Sequence, residues 1–126
     1  MKAKLLPIVA VVAVLGAVSF SGMASAGTAA VTTLTIKAQS GDLSGTIDSP
    51  KPKKCARNRN VLVFKQKGKD QDLSVDKKVA SDIAGLNGDR YEWSIGNSGL
   101  TGKFYAHVKR TPDCKAASSR TVKTHN

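Results

Sequence analysis

The sequence predicts an all-β protein, a single small β-sandwich of about seven strands behind a cleaved leader. Three observations predict it. Apolar residues recur with period two in short runs; Gly, Pro, Asn, Ser and Asp clusters interrupt those runs every 8 to 15 residues; and no segment of 10 residues or more has the apolar period of an amphipathic helix. A chain of 126 residues holds one domain, which excludes a multidomain enzyme.

Lys2 and Lys4 give a short positive start, Leu5 to Phe20 form an apolar run, and Ala24-Ser25-Ala26 supplies the small-residue exit of a secretory signal. The first 26 residues hold 18 apolar letters, yet the run itself is shorter than the roughly 20 residues a spanning helix needs. Residues 1–26 are therefore read as a signal peptide and 27–126 as the secreted domain, with its core over about 31–124. No cysteine lies near the leader's end to carry a lipid. Removing Lys2 and Lys4 from the 20 basic residues leaves 18 against 9 acids, a net charge of +9. The expected location is outside the cytoplasm, in the medium, the wall or the periplasm.

Val31 to Lys37 alternates Thr with Leu34 and Ile36, a first strand. Leu43, Gly45 and Ile47 repeat the alternation after Ser40-Gly41-Asp42, and Pro50 and Pro52 stop it by removing ladder donors. Asn58 to Phe64 carries Val61-Leu62-Val63-Phe64, the most continuous apolar run and hence the centre of the core. Leu73, Val75 and Val79 share one parity of a fourth strand, and 82–89 supplies the turn chemistry of a connection. Tyr91, Trp93 and Ile95 share a face, as do Phe104, Ala106 and Val108, and Thr121 to Lys123 closes the sheet.

Cys55 and Cys114 are the only cysteines. An even count in an exported chain indicates a disulfide, and two cysteines this far apart without a C-x-x-C or a neighbouring His do not make a zinc set. Closing the loop between them removes unfolded-state entropy equivalent to roughly 4 kcal/mol in the chain-entropy picture.

Gly45-Thr46-Ile47-Asp48, Val61-Leu62-Val63-Phe64, Val79-Ala80-Ser81-Asp82, Gly88-Asp89-Arg90-Tyr91-Glu92-Trp93-Ser94-Ile95 and Gly102-Lys103-Phe104-Tyr105-Ala106-His107-Val108 follow in that order. From Leu43 to Lys109 this resembles the transthyretin-like, carboxypeptidase regulatory-like (prealbumin-like) β-sandwich of Ig-like layout. The Cys55-x-x-x-Arg59-x-Val61 opening and the Cys114-Lys115-Ala116-Ala117-Ser118 ending are closer still to small secreted actinobacterial proteins of undefined function. The resemblance implies a sandwich with one disulfide and implies no reaction.

Asp70-x-Asp72-x-Ser74-x-Asp76 begins like a calcium loop, but Val75 stands where the loop needs Gly, Ser81 where it needs Glu, and Lys77 and Lys78 repel a cation. A solvated strand edge is expected there instead. His107 has the parity opposite to Phe104, Ala106 and Val108, which places it on the outer face beside Tyr105 and Lys109, and no G-x-S-x-G marks a nucleophile. Trp93 and Tyr91 are expected to fill the core rather than form an aromatic binding platform. Gly96, Gly99 and Gly102 are turn residues, not a phosphate loop. No catalytic, cofactor or metal-ligating residue is identified, and the domain is expected to be non-enzymatic.

Charge is the strongest signal beyond the fold. Lys51, Lys53, Lys54, Arg57, Arg59, Lys65, Lys67 and Lys69 place eight cations within 19 residues with no acid among them, which predicts a basic face or ridge. Such a surface attracts polyanions through counterion release. Outside the cytoplasm these are anionic lipid, teichoic-type polymer or acidic polysaccharide; nucleic acid is less available, and only Phe64 interleaves aromatically with the run. Two functions are expected: a structural or protein- and surface-interaction module, and alternatively a cationic binder of envelope polyanions through Lys51 to Lys69.

Overall fold

A computed structural model describes residues 28–96 and 99–124. The leader and its expected cleavage site fall outside the described residues. Ten short strands and one helical turn follow in the order β1 (Thr33–Leu34), β2 (Lys37–Gln39), β3 (Asp42–Asp48), α1 (Pro52–Cys55), β4 (Asn60–Lys65), β5 (Lys77–Ile83), β6 (Gly85–Asn87), β7 (Arg90–Ile95), β8 (Gly102–Val108), β9 (Ala117–Ser118) and β10 (Val122–Thr124). They form two antiparallel sheets. Sheet I runs β1-β3-β7-β6, with β2 also on β3, and sheet II runs β10-β8-β4-β5, with β9 also on β8.

The alternation of the sequence decides which faces meet. Leu43, Gly45 and Ile47 stand opposite Ile95, Trp93 and Tyr91 in sheet I, while Val63 stands opposite Ala106 in sheet II. Leu43, Ile47, Val61, Val63, Phe104, Ala106 and Val108 are fully buried between the layers, and Trp93 is 1% exposed. The expected core is therefore present, and the all-β sandwich with it. The Cys55–Cys114 disulfide is also present.

Strand number and two placements differ from expectation. The first strand divides into β1 and β2 because Thr35 turns its carbonyl toward Trp93 Nε1, which donates to it at 3.2 Å. β6 pairs with β7 through Gly85 to Asn87, inside what reads as a connection, and β9 adds two residues beside β8. The fourth strand begins at Lys77 rather than near Leu73. Leu73 and Val75 lie in a turn and are 45% and 53% exposed, because the segment before β5 is organised by a carboxylate rather than by apolar parity.

That carboxylate is Asp76. Its Oδ1 accepts from the Lys67 amide at 2.9 Å, and its Oδ2 accepts from the Asp72 amide at 2.8 Å and the Tyr105 hydroxyl at 2.6 Å. The expected solvated edge is thus a folded loop around a buried acid. Tyr105, expected outside with His107, is fully buried on the outer face of sheet II, where this loop covers it and Phe64 stacks on it at 5.7 Å.

Candidate functional site

The eight cations from Lys51 to Lys69 fall into two clusters. Between them runs β4, whose Val61, Leu62 and Val63 are buried, and at about 3.3 Å per residue its six residues separate the two halves by roughly 17 Å. Lys51, Lys53, Lys54, Arg57 and Arg59 lie at the end where α1 enters β4. Lys65, Lys67 and Lys69 leave β4 at the other end. The ridge is two poles.

The poles differ in their counter-charges. Lys67 and Lys69 enter the loop that contains Asp70, Asp72 and Asp76, so acids accompany cations there. Around α1 the disulfide does the opposite. Cys114 bonds to Cys55, Cys114 Sγ lies 3.5 Å from the Lys54 carbonyl oxygen, and the Lys115 amide donates to the Ala30 carbonyl at 2.8 Å. The segment 109–115 is thereby held against α1, which adds Lys109, Arg110 and Lys115 to Lys53, Lys54 and Arg57, all exposed. Asp48 precedes α1, Asp113 lies within 109–115, and Asp82 stands opposite Val61 near the start of β4.

Arg59 departs furthest from the sequence expectation. It is 7% exposed, so it contributes no open charge to the surface. Its Nη1 donates to the Cys55 carbonyl at 2.8 Å and lies 3.5 Å from Thr32 Oγ1, and its Nη2 donates to the Lys109 carbonyl at 2.8 Å. Every one of these acceptors is neutral, and burial pulls the guanidinium below its ordinary pKa. The side chain ties α1 to the end of β8. Beside it opens a recess of about 240 Å³ lined by Asn58, Arg59, Asn60, Leu62, Lys109, Arg110 and Thr111.

His107 sits one strand position from this recess, opposite Leu62 on the outer face of sheet II. It is half-buried, with Nδ1 2.8 Å from Ser118 Oγ and its ring edge-on to Phe64 at 6.3 Å. Burial, then the charges of Lys109 and Arg59, push its pKa below the usual value. No group of three or more His, Cys, Asp or Glu among the described residues is arranged to hold a metal ion.

A concavity of about 770 Å³ is lined from Thr35 and Lys37 to Asn87 and Arg90. Its chemistry is mixed: Lys37, Arg90 and Arg120 share it with Asp82 and Glu92. Both acids are engaged, Asp82 Oδ2 accepting the Ser94 amide and Glu92 Oε1 accepting from Asn87 Nδ2, each at 2.8 Å.

No family model matches the chain, and comparison with curated proteins and with solved structures likewise finds no match. Sequence reasoning missed Lys109, Arg110, Lys115 and the two asparagines as parts of the cationic pole. The signal was available in the cysteine pairing, because joining Cys55 to Cys114 necessarily joins the cations flanking each.

Proposed function

We propose that the domain is a non-enzymatic, exported binding module that holds an anionic envelope polymer at its disulfide end. The observation that carries this reading is the convergence of Lys53, Lys54, Arg57, Lys109, Arg110 and Lys115 around one covalent crosslink. A disulfide and a short β-framework fix these cations relative to each other, so a polymer with regularly spaced charge meets several of them without ordering the protein first. Each contact displaces condensed counterion, and affinity falls steeply with salt. No described helix is long and apolar enough to cross a membrane, which suits a module that attaches by charge.

Two quadruple variants of equal charge test the position of the site. Lys53, Lys54, Arg57 and Lys109 changed to Gln should lower the salt needed to elute the protein from an immobilised glycerol-phosphate polymer. Lys67, Lys69, Lys77 and Lys123 changed to Gln should leave it closer to the parent. Equal losses reduce the pole to part of a diffuse positive field and overturn the reading. In that event the structural or protein-interaction module gains support from the mixed-charge concavity, which Leu86 and Ile83 flank with 63% and 55% exposure.

A further inference from the structure

We infer that the recess beside Arg59 is a seat for one phosphate group, with the buried guanidinium as its fixed charge. This rests on the polymer-binding reading and names the group on the polymer that the site takes. Asn58, Asn60, Leu62, Lys109, Arg110 and Thr111 line the recess with Arg59, so amide-bearing and cationic residues from two segments surround it.

Taking a charged group out of water is expensive unless the group is both hydrogen-bonded and paired with an opposite charge. Arg59 has been withdrawn to 7% exposure and given neutral oxygens from Cys55, Lys109 and Thr32. Those bonds satisfy donors, and among the described residues the guanidinium bonds to no carboxylate. The hydrogen bonds offset part of that cost, and a countercharge beside the guanidinium would offset more of it. An oxyanion in the adjoining recess supplies that countercharge.

Size and donor geometry choose the class. A recess of about 240 Å³ is smaller than the roughly 300–1,000 Å³ of pockets that enclose whole small molecules, so it fits a head group on a longer chain. Donor-bearing residues of two separate segments, 58–60 and 109–111, line the recess and so border it from several directions. A tetrahedral phosphate offers acceptors in all of them, whereas a planar carboxylate offers two in one plane. The backbone cooperates at Asn58, where a left-handed conformation with φ of 59° turns the chain into the rim.

His107 gives a readout that does not depend on polymer. Burial, then the positive charges of Lys109 and Arg59, lower the His107 pKa, so an anion beside those charges should raise its titration midpoint. The experiment is a titration of the full domain with inorganic phosphate at constant ionic strength, followed by amide shifts and by the His107 ring proton, with acetate as comparison. Saturable shifts at Asn58, Asn60 and residues 109–111, together with a rise in the His107 midpoint, are expected for phosphate and not for acetate.

Arg59→Gln tests the charge directly, but the bridge to Cys55 and Lys109 is at stake in folding. Lys109→Gln with Arg110→Gln provides the second variant, since Arg59 uses only the Lys109 backbone, and it should weaken phosphate by about tenfold or more. Polymer bound in a salt-dependent manner with no phosphate response at these residues overturns the seat and leaves the polymer reading intact. Equal responses to acetate overturn the phosphate assignment. Loss of both polymer and phosphate binding in the parent protein removes the reading and the seat together.

Discussion

The Tyr105 hydroxyl and Asp76 Oδ2 meet at 2.6 Å on the outer face of sheet II, joining β8 to a loop that starts at the end of β4. The same carboxylate takes the Lys67 and Asp72 amides, so one acid closes the loop and roofs a fully buried tyrosine. The Tyr105 hydroxyl first, then the two amides, hold the Asp76 carboxyl below its ordinary value of 3.8. The phenol responds reciprocally, its pKa raised by burial and by the neighbouring carboxylate.

Acid should therefore loosen this loop. A depressed carboxyl contributes stability that is complete above its unfolded value and is lost as pH falls below 3.8 toward the folded value. Asp76→Asn should lower the melting temperature near neutral pH, and the gap from the parent should narrow below pH 3.8. A gap of constant size across that range would mean that charge is not what Asp76 contributes.

Gly45 faces Trp93 directly across β3 and β7. A Cβ at Gly45 would collide with the Thr35 carbonyl oxygen, 2.7 Å from its carbon and 2.8 Å from Trp93 Nε1. Backbone and an indole cannot both retreat, so Gly45→Ala should cost at least the upper part of the about 1–3 kcal/mol typical of overpacking. Chemical denaturation measures it. A change within a few tenths would mean that β1 and β2 shift freely.

Trp93 is the only tryptophan, 1% exposed, with its Nε1 on the Thr35 carbonyl. Native emission should be blue-shifted and shielded from acrylamide. Trp93→Phe removes the donor and leaves the Thr35 oxygen short of a partner, a loss of about 1–3 kcal/mol in addition to the packing change. Red-shifted, readily quenched native emission would contradict the burial.

The sandwich was legible because period-two alternation reports a strand's two faces, and Val61, Val63, Trp93, Phe104 and Val108 obey it. Tyr105 breaks the pattern for a reason alternation does not carry: a loop can bury the outer face as fully as a facing sheet buries the inner one. Asp76 is the residue that brings the loop there, and its spacing with Asp70 and Asp72 resembles a cation site more than a backbone cap. The basic run misled in a similar way, since density along the chain measures charge per residue, whereas a buried strand between two clusters sends them apart. Arg59 looked like its neighbours by charge and is separated from them only by burial.

The Cys55–Cys114 disulfide carries stability and site geometry at once. Replacing Cys55 and Cys114 by Ala together changes no charge, yet it releases a 59-residue separation and should cost about 4 kcal/mol in the chain-entropy picture. It also frees 109–115 from α1, leaving Arg59 and the two backbone bonds between Ala30 and the segment, from the Ala30 amide to the Asp113 carbonyl and from the Lys115 amide to the Ala30 carbonyl, to hold it. At a temperature where the variant remains folded, it should elute from a glycerol-phosphate polymer at lower salt than the parent. A diffuse field of net charge requires the same elution for both, because the charge is the same. Lower stability with unchanged elution would therefore separate the crosslink from the cationic pole and place the polymer contacts elsewhere on the domain.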